Sequence, residues 1–512
     1  MHARVFSATT VGIDAQRVAV EVDVSFGLVQ FYIVGLPDTA IKESSKRIKT
    51  ALQNSGIRLP AKRITVNLAP ADLKKEGTLF DLPIALGILC AHETLTLEPQ
   101  FLQETLVIGE LSLDGGIRHI TGALPIAYNA QQLGFTRVIV PAANTAEISV
   151  IDNIEIIGVS HITELIAYLR NEQIIVPTPH RTIASTTVYE DSADIAHIKG
   201  QRTAKRALQI AAAGNHNLLF VGPPGAGKTL LARSLRTLMP PLTFHEMVDT
   251  SMLYSITNAL GGQPLITERP FRSPHHTISQ AGLIGGGSFP QPGEISLAHH
   301  GILFLDEFTE FKRDTLEALR QPLEHGIVTI ARAQQTLTFP ASFILVAALN
   351  PCPCGFYGDR TRTCVCSRVS IERYLGKLSG PLLDRIDLHI PIEAIDYATV
   401  TQTTHQGPTS AELRTTIEQA RAVQHARYQL AHVYNAQLHA VQVEQYCVLS
   451  VDAQKLMARS FDTLKLSMRG YHKLLKIART IADLATSPSI EVPHLQEALM
   501  YRSLDQYLER PR

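Results

Sequence analysis

The sequence has no excess charge of either sign: 47 lysines and arginines stand against 47 aspartates and glutamates in 512 residues. This excludes a whole-molecule attraction to nucleic acid, so any such contact must come from local basic patches. No apolar run is long enough to span a bilayer. The opening stretch Met1–Asp14 lacks the basic segment and apolar core of a secretion signal. Together these absences predict a cytoplasmic chain with no membrane association. Internal repeats and low-complexity tracts are also missing. The six cysteines are, in the cytoplasm, better suited to be thiols or metal ligands than disulfides. What is present is apolar: 45% hydrophobic against 18% charged residues, enough for packed cores in about three domains of ordinary size.

Residues 1–172 read as one α/β domain. Short β-rich runs (Val18–Phe26, Ile64–Leu68, Leu106–Ile108, Arg137–Val140) alternate there with helical stretches such as Thr39–Asn54 and Leu82–Ala91. Residues 173–192, rich in Pro, Thr and Ser from Val176 on, read as a linker. Residues 193–397 hold short apolar runs, Asn217–Val221, Ile302–Leu305 and Phe343–Leu349, that look like buried parallel strands of a doubly wound sheet. After a polar stretch around Gly407-Pro408, residues 408–512 are helical in pattern and form an all-α domain.

The strongest motif is Gly222-Pro223-Pro224-Gly225-Ala226-Gly227-Lys228-Thr229. It fits G-x-x-x-x-G-K-[ST] and has the required context, a strand before and a helix after. Glycines let backbone N–H groups face phosphates, and the helix N-terminus adds partial positive charge. Lys228 is expected to reach the β- and γ-phosphates of ATP, and Thr229 to ligate Mg²⁺. Downstream, Ile302–Leu305 leads to Asp306 and Glu307. Asp306 is expected to hold Mg²⁺ through water, and Glu307 to polarise the attacking water. Asn350, ending the next buried strand, could orient that water, or it could simply begin a turn with Pro351. Arg385, in Gly380–Leu388, has two readings: a finger reaching a neighbouring subunit's γ-phosphate, worth about 10³–10⁵ in turnover, or a surface arginine paired with Asp384 or Asp387. Arg469 opens a helix in the last domain and is, by the residues alone, equally a solvated helix arginine.

Cys352, Cys354, Cys364 and Cys366 fall within one polar, Gly-containing loop. Two close pairs suit tetrahedral Zn²⁺ with four thiolates in a structural site, although each C-x-C is tighter than the common C-x-x-C. Free thiols are the alternative. Arg360, Arg362, Arg368 and Arg373 make the same loop basic and able to contact a phosphate backbone. Cys90 and Cys447 stand alone and read as buried residues. Gly326–Pro340, with Val328, Ile330, Leu337 and Phe339 alternating with polar positions, reads as a β-hairpin with Arg332 near its tip.

The whole chain resembles the ComM/YifB family, in the magnesium-chelatase-related branch of AAA+ proteins. The resemblance rests on residues 271–279 (FRSPHHTIS), 285–308 (GGGSFPQPGEISLAHHGILFLDEF), 348–355 (ALNPCPCG), 380–388 (GPLLDRIDL) and 467–484 (SMRGYHKLLKIARTIADL). It implies that Arg385 is a finger acting in trans and Arg469 a second sensor arginine. It also implies a homo-oligomeric, hexameric ring that migrates branched DNA in recombination, including natural transformation, with a recombinase or loader protein as a possible partner. Residues 271–296 then resemble an inserted pore loop, and His275, His276, Arg332, Arg360 and Arg362 become candidate DNA contacts beside the reading as ordinary surface residues. Residues 1–172 resemble the proteolytic domain of Lon (a ribosomal S5 domain 2-like fold) and the similar domain of RadA, over 68–89 and 107–144. This raises a rival, an ATP-dependent protease. The positions matching Lon's nucleophile and its lysine are Leu79 and Ile126, which can do neither task. An assembly or DNA-guiding module is expected instead, with Lys46, Arg47, Lys49, Lys62, Arg63, Lys74 and Lys75 as basic surface. The other rivals are a magnesium-chelatase-like or chaperone-like motor acting on a protein or metal-insertion partner, and a non-enzymatic regulator.

Overall fold

The computed structural model describes residues 2–59, 61–183, 194–287, 290–331, 336–359, 362–395, 407–430 and 433–502. Two compact units emerge: residues 1–185 with 244–266, and residues 186–243 with 267–512.

The first unit is built on a seven-stranded mixed sheet. Its order is Phe31–Val34, Arg63–Ala69, Asp14–Ser25, His2–Val11, Thr105–Val107, Arg137–Pro141, Glu155–Val159. The period-2 alternation of Asp14–Ser25 drives one face inward: Val18, Val20, Val22 and Val24 are all buried. Helices Thr39–Asn54 and Asp81–Ala91 cover this face through Ile41, Ile48, Leu52, Leu82 and Ile88. On the opposite face Phe6, Ala8, Leu106, Val138 and Val140 pack with Ile126 and Ala127 of helix Ala123–Ala130. Leu79 packs against the core and Ile126 is fully buried, so both side chains serve as apolar packing.

A helix from later in the chain, Phe244–Ile256, belongs to this unit. Its Ser255 donates to the buried Glu147 (3.1 Å) and its Ser255 carbonyl accepts from Gly122 N (3.2 Å). The start of the expected linker is also tied down: Thr178 N bonds Ile156 O and Arg181 N bonds Ser149 O, both at 2.8 Å. Residues 184–192 of that linker lie outside the described residues. Of the seven basic residues expected at the surface, two turn inward. Arg47 makes a two-pronged bond to buried Asp81 (2.8 and 2.9 Å), and Lys75 is buried, donating to Pro70 O.

The second unit has a five-stranded, all-parallel sheet in the order Phe271–Arg272, Ile302–Leu305, Ile344–Leu349, Leu218–Val221, Leu388–Pro391. The three middle strands are buried at every position, as apolar runs covered on both faces must be. The earliest strand, Leu218–Val221, lies between the fourth and fifth, so the sheet reverses direction of build at its carboxyl end, where such folds bind ligands.

Helices Ser410–Tyr428, Val451–Thr463, Met468–Leu484 and Val492–Met500 follow in the same unit. The first is started by a capping box of Thr409 and Glu412. It docks on helix Arg202–Gly214, with Arg421 Nη2 donating to Ala212 O (2.6 Å) and Gln424 Nε2 to Ala213 O (3.1 Å). Asp483, fully buried, holds the helices together by accepting from Arg427, Arg479 (3.1 Å) and Asn435 (2.9 Å). Among the described residues no helix is long and apolar enough to cross a membrane.

Candidate nucleotide site and cysteine cluster

Strand Leu218–Val221 delivers the chain to Gly222, where a Cβ would lie 2.3 Å from Ile392 O, so only glycine fits. Gly227, at φ +86°, turns the loop into helix Lys228–Leu238. The free N–H groups of that helix start make a site for an anion. Lys228 folds back over the loop. Its Nζ donates to Gly222 O (2.6 Å), Pro223 O (3.0 Å) and Asn350 Oδ1 (2.8 Å). Burial pushes its pKa down to about 8, against the upward pull of Asp306 and Glu307.

The carboxylates arrive at the end of strand Ile302–Leu305, two places away in the sheet. Thr229 Oγ1 donates to Asp306 Oδ2 (3.0 Å), and the other oxygen of Asp306 accepts from Glu307 N (2.9 Å). Glu307 sits in the left-handed region at φ +50°, and its half-exposed carboxylate lies 3.1 Å from His276 Nδ1. Five residues expected from the sequence, Lys228, Thr229, Asp306, Glu307 and Asn350, therefore meet at the carboxyl ends of three neighbouring strands. Thr229 and Asp306, hydroxyl beside carboxylate, are a donor set of hard oxygens that fits Mg²⁺. A cleft of about 500 Å³ opens beside Glu307 and Asn350, with Arg373, Tyr374 and Lys377 on its far wall.

Arg385 and Arg469 converge elsewhere, on one carboxylate. Arg385 Nη2 pairs with Glu324 and its Nη1 donates to Pro381 O (2.6 Å), while Arg469 Nη2 lies 3.7 Å from the second oxygen of Glu324. The hydrogen bond and charge of Arg385 hold Glu324 below the usual carboxylate range. Arg385 does not pair with Asp384 or Asp387: Asp387 instead bonds His216 Nδ1 (3.1 Å).

The four loop cysteines come together. Sγ of Cys352 lies 3.3 Å from that of Cys354 and 3.6 Å from that of Cys364, and all four sulfurs fall within 4.8 Å of one another. A tetrahedron with Zn–S of about 2.3 Å has edges of about 3.8 Å, so the set fits Zn²⁺. Backbone N–H groups of Phe356 and Val365 push the Cys354 thiol down to about 6, while desolvation beside the other sulfurs raises Cys364, so without a metal the cluster favours a thiolate at Cys354 and not at Cys364. Gly355, in the same loop, meets the phosphate loop: a Cβ there would lie 2.7 Å from Pro224 Cδ. Cys90 is only half-buried and Cys447 buried, and desolvation raises both thiols, to about 11 and about 12.

Of the other candidates, His275 is exposed and stacks on His276 with ring centroids 4.1 Å apart. Arg362 is exposed and its guanidinium lies 5.1 Å from the centre of the Phe356 ring. Arg332 and Arg360 lie outside the described residues. The hairpin forms as expected from Ile327–Ala331 and Thr336–Pro340, with Val328, Ile330, Leu337 and Phe339 buried. The preceding loop is structured: Arg272 grips Glu294 with two bonds of 2.6 Å, and Gly285 abuts Ile330 of the hairpin.

Residues 20–144 match the family described as "Subunit ChlI of Mg-chelatase", 194–400 "Magnesium chelatase, subunit ChlI", and 407–502 "Magnesium chelatase, subunit ChlI C-terminal". The chain is 42% identical to competence protein ComM of Haemophilus influenzae, over 99% of both chains. It is 41% identical to YifB of Salmonella typhimurium, over 99% of this chain and 98% of that one. The chain belongs to the ComM/YifB family. Its similarity to the magnesium-chelatase 67 kDa subunit of Heliobacterium mobile is weaker, 25% over 38% of this chain and 30% of that protein.

Sequence reading of this ComM/YifB protein missed Glu324 altogether. An isolated glutamate on a short helix carries no motif, and its meaning depends on Arg385 and Arg469, 61 and 145 positions away. It also placed His276 only at a DNA-facing loop and not against Glu307.

Proposed function

We propose that this magnesium-chelatase-like AAA+ protein hydrolyses ATP in a ring and uses the work to move branched DNA. The observation that carries the ATPase reading is the meeting of Lys228, Thr229, Asp306, Glu307 and Asn350 at one sheet edge. In this reading Lys228 neutralises the phosphates, Asn350 orients the attacking water and Glu307 takes its proton. Thr229 and Asp306 hold Mg²⁺, which when bound supplies charge for the leaving phosphates. Arg385 and Arg469 serve the γ-phosphate, Arg385 from a neighbouring copy, and Glu324 parks both between turnovers. Zinc on Cys352, Cys354, Cys364 and Cys366 is structural. The Lon-like reading of the first unit is an assembly or DNA-guiding role.

DNA as the substrate draws its support from the identity to the competence protein ComM along the whole chain, and natural transformation follows as the setting. The loop of 271–296 and the hairpin of 327–340 are its contact elements. A chelatase-like or chaperone-like motor on a protein partner is favoured instead by the matches to magnesium chelatase. ATP turnover with and without a four-way DNA junction, with strand exchange followed by fluorescence, separates the two. Stimulation and ATP-dependent branch movement, both lost in Lys228→Ala, support the DNA motor. Turnover indifferent to DNA favours the protein-directed motor.

A further inference from the structure

Arg385 stands at the end of the second sheet opposite to the phosphate loop. Its segment leads into strand Leu388–Pro391, which runs parallel to Leu218–Val221 with Leu218 opposite Leu388. The phosphate loop follows Val221, at the other end. A four-residue strand spans about 13 Å, so Arg385 lies at least a strand's length from the loop of its own chain. The guanidinium is not fully satisfied there. Nη1 and Nη2 have Pro381 O and Glu324, but Nε is buried and, among the described residues, has no hydrogen-bond partner. A buried bond left unmade costs free energy, so the place of this residue is fixed by more than its own side chain.

The backbone is clamped from two directions. From the sheet, Asn217, the residue before strand Leu218–Val221, donates from Nδ2 to Arg385 O (3.0 Å), and its Oδ1 accepts from Leu345 N (2.8 Å). The Asn217 carbonyl accepts from Asp387 N and Leu388 N, both at 3.0 Å. Beside it, His216 bonds Asp387 Oδ2 with Nδ1 (3.1 Å) and Thr480 Oγ1 with Nε2 (2.8 Å). From helix Met468–Leu484, Lys473 Nζ donates to Ile386 O (2.8 Å). Burial pushes the Lys473 ammonium below the usual lysine range, against the pull of Asp387 and Asp384. Lys473 lies four residues after Arg469, one turn along the same helix face. Two consecutive carbonyls are therefore held, Arg385 O by the sheet and Ile386 O by the helix that carries Arg469. An ammonium drawn out of water to meet a carbonyl is a costly source of stability. What it provides here is a fixed relation between the two arginines that share Glu324.

We propose that Asn217 and Lys473 are positioning residues: by holding Arg385 O and Ile386 O they set where Arg385 is presented to the nucleotide of a neighbouring copy, and they keep Arg469 in step with it. This rests on the reading of Arg385 as a finger acting in trans. Neither residue touches nucleotide in this scheme.

The test is steady-state ATP turnover of the full chain for Lys473→Met, Lys473→Arg and Asn217→Asp, each alone and mixed with Glu307→Gln, with Arg385→Ala as the control. Methionine keeps the apolar stem and removes the donor. Asn217→Asp keeps an acceptor for Leu345 N and removes the donor to Arg385 O. Alone, Lys473→Met and Asn217→Asp lower kcat about 10- to 100-fold, the range for one hydrogen bond to a charged group, with KM for ATP unchanged; Lys473→Arg recovers most of it. Glu307→Gln has no turnover of its own but an intact finger. Mixed with it, both variants gain turnover above the sum of the two preparations, because a sound finger then serves a sound site. A merely structural loss lowers the amount of active protein and gives no gain on mixing. Circular dichroism and thermal melting check folding, and if one variant does not fold the other carries the test. Wild-type kcat in the folded variants, or no gain on mixing where Arg385→Ala does gain, overturns the positioning role. No gain for Arg385→Ala itself overturns the underlying reading instead, so the two failures are distinguishable.

Discussion

Raising the pH from 7 to 9 weakens ATP binding about tenfold if Lys228 is desolvated as its surroundings require. In the free protein burial brings the Lys228 ammonium down to about 8. In the complex the triphosphate favours the charged form and returns it to at least the ordinary ~10.4. The sign follows. Below pH 8 the lysine is charged before and after binding, and affinity is flat. Above pH 8 the free protein has lost the proton and the complex has not, so binding takes one up and affinity falls as pH rises. With the free value at about 8, proton uptake per ATP climbs from about 0.1 at pH 7 to about 0.9 at pH 9, and the dissociation constant rises about tenfold. Isothermal titration calorimetry of Glu307→Gln with MgATP, repeated in two buffers of different ionisation enthalpy, measures that uptake directly. Uptake that stays near zero at pH 9 refutes the reasoning. It would mean that the carbonyls of Gly222 and Pro223 and the Asn350 amide offset the desolvation in full. Lys228→Ala should lose the linkage along with most of the affinity.

Glu307→Gln should bind ATP as the wild type does and lose turnover by about 10²–10⁴; normal turnover removes Glu307 from the chemistry. Arg385→Ala subunits mixed with wild type should lower turnover more steeply than their fraction, and a linear dependence refutes action in trans. Purified protein should carry about one zinc per chain, lost on Cys364→Ser with Cys366→Ser; that variant should also bind ATP more weakly, because Gly355 packs on Pro224, and unchanged affinity in metal-free protein refutes the connection. Asp483→Ala should destabilise the second unit by about 3–5 kcal/mol, since it leaves buried Arg479 and half-buried Arg427 without their counter-ion. A loss in chemical denaturation below about 1 kcal/mol, the worth of an exposed pair, contradicts that account.

The phosphate loop and the Asp306–Glu307 strand end were legible because their chemistry fixes local spacing: loop, lysine and helix start lie within eight residues, and the strand before each is an unbroken apolar run. The alternating hairpin was legible for the same local reason. Strand His2–Val11 was not. It is central in its sheet and covered on both faces over Val5–Ala8, which erases the period of two that marks a strand with one wet face. Arg47 and Lys75 read as surface because a basic residue gives no local sign of a buried partner, and Asp81 lies 34 positions from Arg47. The convergence on Glu324 and the bond from His276 to Glu307 are products of tertiary packing between segments that no motif joins.

Helix Phe244–Ile256 has a consequence for how the chain comes to be folded. It packs on helix Ala123–Ala130 and caps Glu147 and Gly122, yet the ribosome makes it only after the phosphate loop and its helix. The first unit therefore cannot complete these contacts as its sheet emerges. It must wait, with the face around helix Ala123–Ala130 and the carboxylate of Glu147 lacking their cover, until residue 266 has left the exit tunnel. A fragment of residues 1–185 lacks these contacts, and one meant to represent the whole unit includes residues 244–266 as well.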